Sequence, residues 1–388
     1  MFFTECELED LKQLIPKTHK LYLKLVSKPE LSIPDCLDYI ENQRKKNQNT
    51  LLKRHALYPI LDEEMYSFYQ KQENFGWSSS EIEYVADIRD YVESSPAVKR
   101  MVNTILAFFL SGDGAISNNI LWRFMLECDT YEEQMFYISQ AHIESIHADT
   151  YGQAAITFLR TKEEVSFLIS AAEEIPCVKS KLSTMEKWTH SKLEKYKRYM
   201  AFACAEGIFF CSLFVPIFWF RPRGKFRSFV TANEFIRRDE SLHKSFNIAI
   251  CLREIKKILD VDPRQLASIH NDLIEILKEF VAIEDKFVDY ILPEHIEDLN
   301  AKDMKSIVRI IADGILEDLG IDRIYNCVNP YSWADDFCYE EKTNFFELRV
   351  AAYKKRSIDE YLDWKSRTGY QMSIEEKSKG YTDTSGKW

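Results

Sequence analysis

Met200 to Phe220 (MAFACAEGIFFCSLFVPIFWF) is a run of 21 residues with a single charge, Glu206, flanked by Lys197-Arg198 and by Arg221. It is long enough to cross a membrane as a helix. An ionised carboxylate within it would cost several kcal/mol in lipid, however, and no other segment of the chain reaches membrane length. The expected form is therefore a helix buried on all sides of a soluble bundle. A carboxylate at such a place needs a counter-charge, because an unpaired buried charge is strongly unfavourable.

The rest of the composition fits a helical bundle. Among 388 residues there are only 11 Gly and 11 Pro, against 25 Phe and 20 Tyr, which favours long helices around an aromatic core over frequent tight turns. The net charge of −11 gives neither the basic field of a nucleic-acid coat nor that of a polybasic membrane-surface protein, so no nucleic acid and no membrane are expected as partners. Nine cysteines without a CxxC pair argue against zinc ribbons and disulfide frameworks. The chain opens Met1-Phe2-Phe3-Thr4-Glu5, with no basic start before an apolar run, so reduced thiols and a cytoplasmic location are expected.

Along the chain, residues 1–50 read as an appendage: an amphipathic helix from Glu7 to Val26 interrupted at Pro16, then a polar, basic linker from Asn42 to Asn49. Residues 51–347 form the main domain. Ser78 to Ser80 before Glu81 have the pattern of an N-cap, and Ser95-Pro96 opens a helix running through Asp113 towards Glu127. Thr130-x-x-Glu133 is a capping box for a helix through Glu144 to about Leu159. After a shorter pair comes the buried helix, a break at Arg221-Pro222-Arg223-Gly224, and helices through Glu240 to Leu259, from Asp272 to Tyr290 and from Asp303 to Leu319. No strand-like alternation occurs, so the fold class is all-α. Residues 348–388 read as a flexible tail.

Two Glu-x-x-His pairs, Glu144/His147 and Glu240/His243, each present an oxygen and an imidazole nitrogen on one helix face. With eight His and 62 acidic residues such spacing arises by chance, so the pairs alone are weak. Context strengthens them. Glu206 stands in the buried helix, and Asp113 follows the apolar run Ile105 to Leu110 in another. Carboxylates from two helices and Glu-x-x-His from two more make the ligand set of a ferritin-like dimetal bundle. Six such ligands suit two iron or manganese ions better than zinc.

The segments AFFLSGDG around Asp113, AHIESIHADTY from Ala141, AEGIFFCSLF from Ala205, NEFIRRDESLH from Asn233 and KTNFFE from Lys342 together resemble the small, radical-generating subunit of class I ribonucleotide reductases. The similarity spans about Leu61 to Tyr353. The resemblance implies a first metal on Asp113, Glu144 and His147, and a second on Glu206, Glu240 and His243. It places the radical tyrosine at Tyr151, one turn past His147, with Phe210, Phe214 and Ile236 as its apolar pocket. It implies that Asp239, next to Arg238, accepts a hydrogen bond from His147 and links the metal to a residue nearer the surface. At that last position the family has Trp, and an alignment through Trp77 puts Tyr66 there. Tyr353 matches the tail tyrosine that passes the radical onward, and Trp388 is a candidate terminal anchor.

What the resemblance implies for function is the oxidation of Tyr151 by two ferrous ions and oxygen, for use by a large subunit that makes deoxyribonucleotides. The metals are two irons or an iron and a manganese, and the assembly is a homodimer or a heterodimer with a sister chain. Two other readings stand beside it. One is a metal-binding paralogue acting as scaffold, motivated by Tyr66 and the unusual tail; the other is a stand-alone dimetal oxidase.

Overall fold

The computed structural model describes residues 57–159, 161–189 and 193–334. The appendage and its linker, the KTNFFE segment, Tyr353 and the whole tail lie outside the described residues. Among those described, the structure is helical, with one isolated bridge between Ile296 and Leu299 and no strand.

In chain order the main helices are α1 (Glu63–Phe75), α2 (Ile88–Glu93), α3 (Pro96–Asn119), α4 (Tyr131–Phe158), α5 (Lys162–Glu174), α6 (Pro176–Thr189), α7 (Lys195–Cys204), α8 (Cys211–Phe218), α9 (Arg227–Leu259), α10 (Leu266–Ile291) and α11 (Ala301–Asp318). Helix α3 packs along α4, α4 against α1, and α7 against α9 and α10. The starts follow the sequence signals. Ser95 Oγ accepts the Val98 amide with Pro96 in the first turn of α3, and Ser78 and Glu81 form a reciprocal capping box on a short 3₁₀ turn. Thr130 caps α4 through the Glu133 amide, but the Glu133 carboxylate takes the amide of Asp129 (2.7 Å). The expected box is thus shifted by one residue.

Helix α9 starts without a local cap. Asp87 accepts the amides of Ser228 (3.2 Å) and Phe229 (2.7 Å), and Asp90 accepts that of Phe226 (2.8 Å). The orphan donors of a 33-residue helix are therefore satisfied from a segment about 140 positions away.

The apolar run lies inside the protein, as expected: 94% of its most apolar window is buried. It is not one regular helix. Between α7 and α8, Ala205–Phe210 forms a π-turn in which the Cys211 amide reaches back five residues to the Glu206 carbonyl. Such single wide turns concentrate at functional sites, and this one carries Glu206. Pro216 follows within α8, so the carbonyl of Ser212 lacks the amide donor a regular helix would give it.

Candidate metal centre

Four helical segments converge on one dry volume. Asp113 comes from α3, Glu144 and His147 from α4, Glu206 from the π-turn, and Glu240 and His243 from α9; all six are buried. Close approach depends on Gly112, where a β-carbon would lie 2.8 Å from the Phe210 ring.

The six residues form two overlapping groups, Asp113/Glu144/His147 and Glu144/Glu206/Glu240/His243, with ligand atoms in each group within 4.8 Å of one another. Glu144 belongs to both. His147 Nδ1 lies 3.3 Å from Glu144 and 3.0 Å from Glu240; His243 Nδ1 lies 3.1 Å from Glu144 and 3.2 Å from Glu240. Glu144 and Glu240 thus span the two imidazoles, as bridging carboxylates do.

The electrostatics of the bare cluster show what it lacks. Burial, then repulsion from Glu144, drives the Asp113 carboxyl well above its usual range, and burial, then Glu240 and Glu144, does the same for Glu206. Burial opposes the charged imidazole of His243, yet Glu144 and Glu240 hold it up at about 9. Burial likewise opposes charge on His147, but hydrogen bonds to Asp239, Glu144 and Glu240 push it well upward. Protons stand where positive charge is needed. Both Asp113 oxygens and Glu206 Oε2 are buried without a hydrogen-bond partner, and Glu144 Oε2, Glu240 Oε1 and His147 Nδ1 face only one another. Such orphaned atoms converging on one point fit divalent cations.

The outer faces of the imidazoles are held. His147 Nε2 is 3.2 Å from Asp239 Oδ2, and His243 Nε2 is 3.0 Å from Gln72 Oε1, which leaves both Nδ1 atoms facing the carboxylates. Gln140 donates to Glu206 (2.9 Å) and Glu144 (3.3 Å).

The Asp239 link corrects the expectation for Tyr66. Trp77 Nε1 donates to Asp239 Oδ2 at 2.8 Å, and the indole stacks over His147 with centroids 6.0 Å apart. Tyr66, more than two turns back along α1, places its hydroxyl 3.1 Å from that of Tyr58. The chain leaves α1 at Gly76, and this turn, which no alignment of spacing reveals, swings Trp77 onto Asp239. The connection is His147–Asp239–Trp77. Arg238 stands outside the ligand cluster. It donates to the Phe75 carbonyl (2.7 Å) and comes within 3.7 Å of Asp239 Oδ1, so it fastens the end of α1 beside the Asp239 link.

Tyr151 is fully buried and stacks on Phe109 (4.4 Å, 14°), which in turn packs on Phe210 and Phe214, each 5.8 Å away. Ile236 is fully buried one turn before Glu240. The phenol donates to Asn233 Oδ1 (2.9 Å), whose amide nitrogen is tied to the Phe229 carbonyl (2.7 Å). Burial, then the charges of Asp113 and Glu240, hold the phenol well above its usual pKa, so it keeps its proton. Sequence reasoning missed Gln72, Trp77, Phe109, Gln140 and Asn233. For Gln140 a signal existed, since it lies one turn before Glu144 on the same face.

Residues 54–330 match the family described as ribonucleotide reductase, small chain. The ribonucleoside-diphosphate reductase small chain of Variola virus is 34% identical over 313 residues, covering 81% of this chain and 94% of that one. That of Plasmodium falciparum is 34% identical over 340 residues, covering 87% and 93%. Among solved structures, a putative class I ribonucleotide reductase from Bacillus halodurans aligns with TM-score 0.65 at 17% identity, over 71% of this chain and 100% of that chain. Dimanganese(II)-NrdF of Streptococcus sanguinis aligns with TM-score 0.64 at 17% identity, over 74% and 99%. At these identities the structural matches establish the fold.

Proposed function

The chain belongs to the family of ribonucleotide reductase small chains, and from that premise we propose that its six buried ligands hold two iron ions and that Tyr151 carries a tyrosyl radical. This chain is a small subunit of ribonucleoside-diphosphate reductase, an oxidoreductase. The observation that carries the metal and radical assignment is the cluster of orphaned ligand atoms beside a buried phenol. Bound there, the irons would supply the power, drawn from oxygen, to oxidise Tyr151.

The protein's own residues do the rest. Glu144 and Glu240 span the two histidines, while Asp239 and Gln72 fix the ring orientations that leave both Nδ1 atoms free to ligate. Phe109 covers the Tyr151 ring and is itself backed by Phe210 and Phe214, which keeps water away from the fully buried phenol. Asn233 accepts the phenol's hydrogen bond, but a neutral amide does not hold the proton. Among the carboxylates Asp113 has the largest electrostatic effect on the phenol, raising its pKa. Trp77, Asp239 and His147 form the hydrogen-bonded chain along which an electron reaches the centre. An indole can pass a hole without shedding its proton at the same instant. With Trp77 in this chain, Tyr66 no longer argues for a scaffold role; the unusual tail, the other motive, lies outside the described residues.

The large subunit is the partner that uses the radical, and the small chain works as a dimer in the cytoplasm. The free thiols at Cys128, Cys177, Cys204, Cys211, Cys251 and Cys327 accord with a reducing compartment. The test is reconstitution: the iron-loaded chain mixed with the large subunit of its source should reduce ribonucleoside diphosphates, and the metal-free chain should not. Full iron loading with no turnover would leave the scaffold reading in its place.

A further inference from the structure

Lys181 is a fully buried lysine on α6, and the chemistry above makes no use of it. Its ammonium lies 2.8 Å from Glu284 Oε2 of α10, also fully buried. It sits in an aromatic box, 3.9 Å from the Phe108 ring centroid, 4.1 Å from Phe287 and 5.0 Å from Phe209. Burying such a pair is a poor route to stability, because desolvating two charges offsets most of their attraction and apolar side chains of like volume often serve as well or better. What apolar side chains cannot supply is the pair's other contacts.

Those contacts fall on one stretch of backbone. Lys181 Nζ donates to the carbonyl of Phe209 (3.0 Å), inside the π-turn and three residues past Glu206. Glu284 Oε1 accepts from Ser212 Oγ (2.9 Å), one turn further, in the region where Pro216 interrupts the helical ladder. One ion pair thus grips the irregular segment at two points. The same ammonium rests on Phe108, one turn and a residue before Asp113 on α3, and Phe108 packs on Phe210 at 5.1 Å. The helices bearing Asp113 and Glu206 meet at this cation.

We infer that Lys181 and Glu284 are positioning residues for the metal centre, clamping the π-turn so that Glu206 faces Glu240 and His243. The inference rests on the reading of Glu206 as a metal ligand. A wide turn beside a proline has weak hydrogen bonding of its own, so the direction of its carboxylate depends on what fastens the turn. The dependence is one-sided. Asp113, Glu144, His147, Glu240 and His243 lie on regular helices whose own ladders hold them, whereas Glu206 alone lies in the turn that the clamp fastens.

The experiment is anaerobic titration of the full chain with ferrous ion, followed by calorimetry, alongside thermal melting of the metal-free protein. Lys181→Met alone strands the Glu284 carboxylate and should destabilise the fold. The informative variant is Lys181→Met/Glu284→Leu, which replaces the pair with apolar volume. We expect melting at or near the parent temperature, with one of the two ferrous sites losing affinity by about tenfold or more and the other unchanged. Ser212→Ala removes a single grip and should weaken the same site by a smaller factor in a protein that folds. Parental affinity at both sites in a folded double variant overturns the inference; should that variant not fold, parental affinity in Ser212→Ala does so. A parent chain that fails to bind two ions overturns the ligand reading itself, and the two failures are distinct.

Discussion

At the scale of single residues, the chemistry rests on side chains that are rare inside a protein, carboxylates and imidazoles buried together. Glu206 announced itself as a lone charge in an apolar run, and the Glu-x-x-His pairs follow from helical spacing. The partners of those ligands were not legible, because each is set by tertiary contact. Asn233 is 82 positions from Tyr151, and Trp77 is 162 positions from Asp239. The error over Tyr66 is of this kind: counting along α1 cannot foresee how the chain turns after Gly76. The corrected link separates two variants. Trp77→Phe keeps a ring over His147 but removes the donor to Asp239, and should lower turnover with the large subunit by roughly 10- to 100-fold in a protein that still folds, destabilised by about 1–3 kcal/mol. Tyr66→Phe, measured in the same assay, should behave like the parent. For the ligands themselves, Glu240→Ala removes a carboxylate shared by both histidines, so bound metal should fall below two ions per chain; stoichiometry that stays at two would remove Glu240 from the site.

At the scale of elements, helix boundaries were readable where the cap is local, as at Ser95-Pro96 and Thr130, and unreadable where it is not, as at the start of α9. The π-turn was also invisible, since one extra residue in an all-apolar stretch leaves no mark on hydrophobic periodicity. Glu133 offers a test of cap energetics. Burial lifts its carboxyl from 4.5 to about 7, against the pull of the Asp129 amide. A folded-state pKa raised in this way means stability that is intact below about pH 4.5 and lost as pH rises through about 7. Glu133→Gln keeps an acceptor for the Asp129 amide and sheds the charge. Thermal melts should show it more stable than the parent by about 1–3 kcal/mol at pH 8, and no more stable at pH 4.5. A gain of equal size at both values would assign the effect to packing rather than to ionisation.

At the scale of the whole molecule, four stretches of chain separated by up to 130 positions meet in one cluster whose carboxylates repel each other unless positive charge lies between them. Metal binding is therefore linked to folding. Ferrous or manganous ion added to the chelated protein should raise its melting temperature in a concentration-dependent way, whereas Glu240→Ala should respond weakly. The all-α class was readable from composition and pattern because the core is so uniformly helical and aromatic, and the ferritin-like bundle from its ligand set. The arrangement of the core around a sealed phenol became visible only with Phe109 and Asn233 in place. The central claim is that this centre exists to oxidise Tyr151. Anaerobic loading with ferrous iron, exposure to oxygen and electron paramagnetic resonance address it directly. The parent should show a tyrosyl signal, and Tyr151→Phe, loaded with the same two irons, should show none; an undiminished signal in Tyr151→Phe would place the radical on another tyrosine and contradict the account.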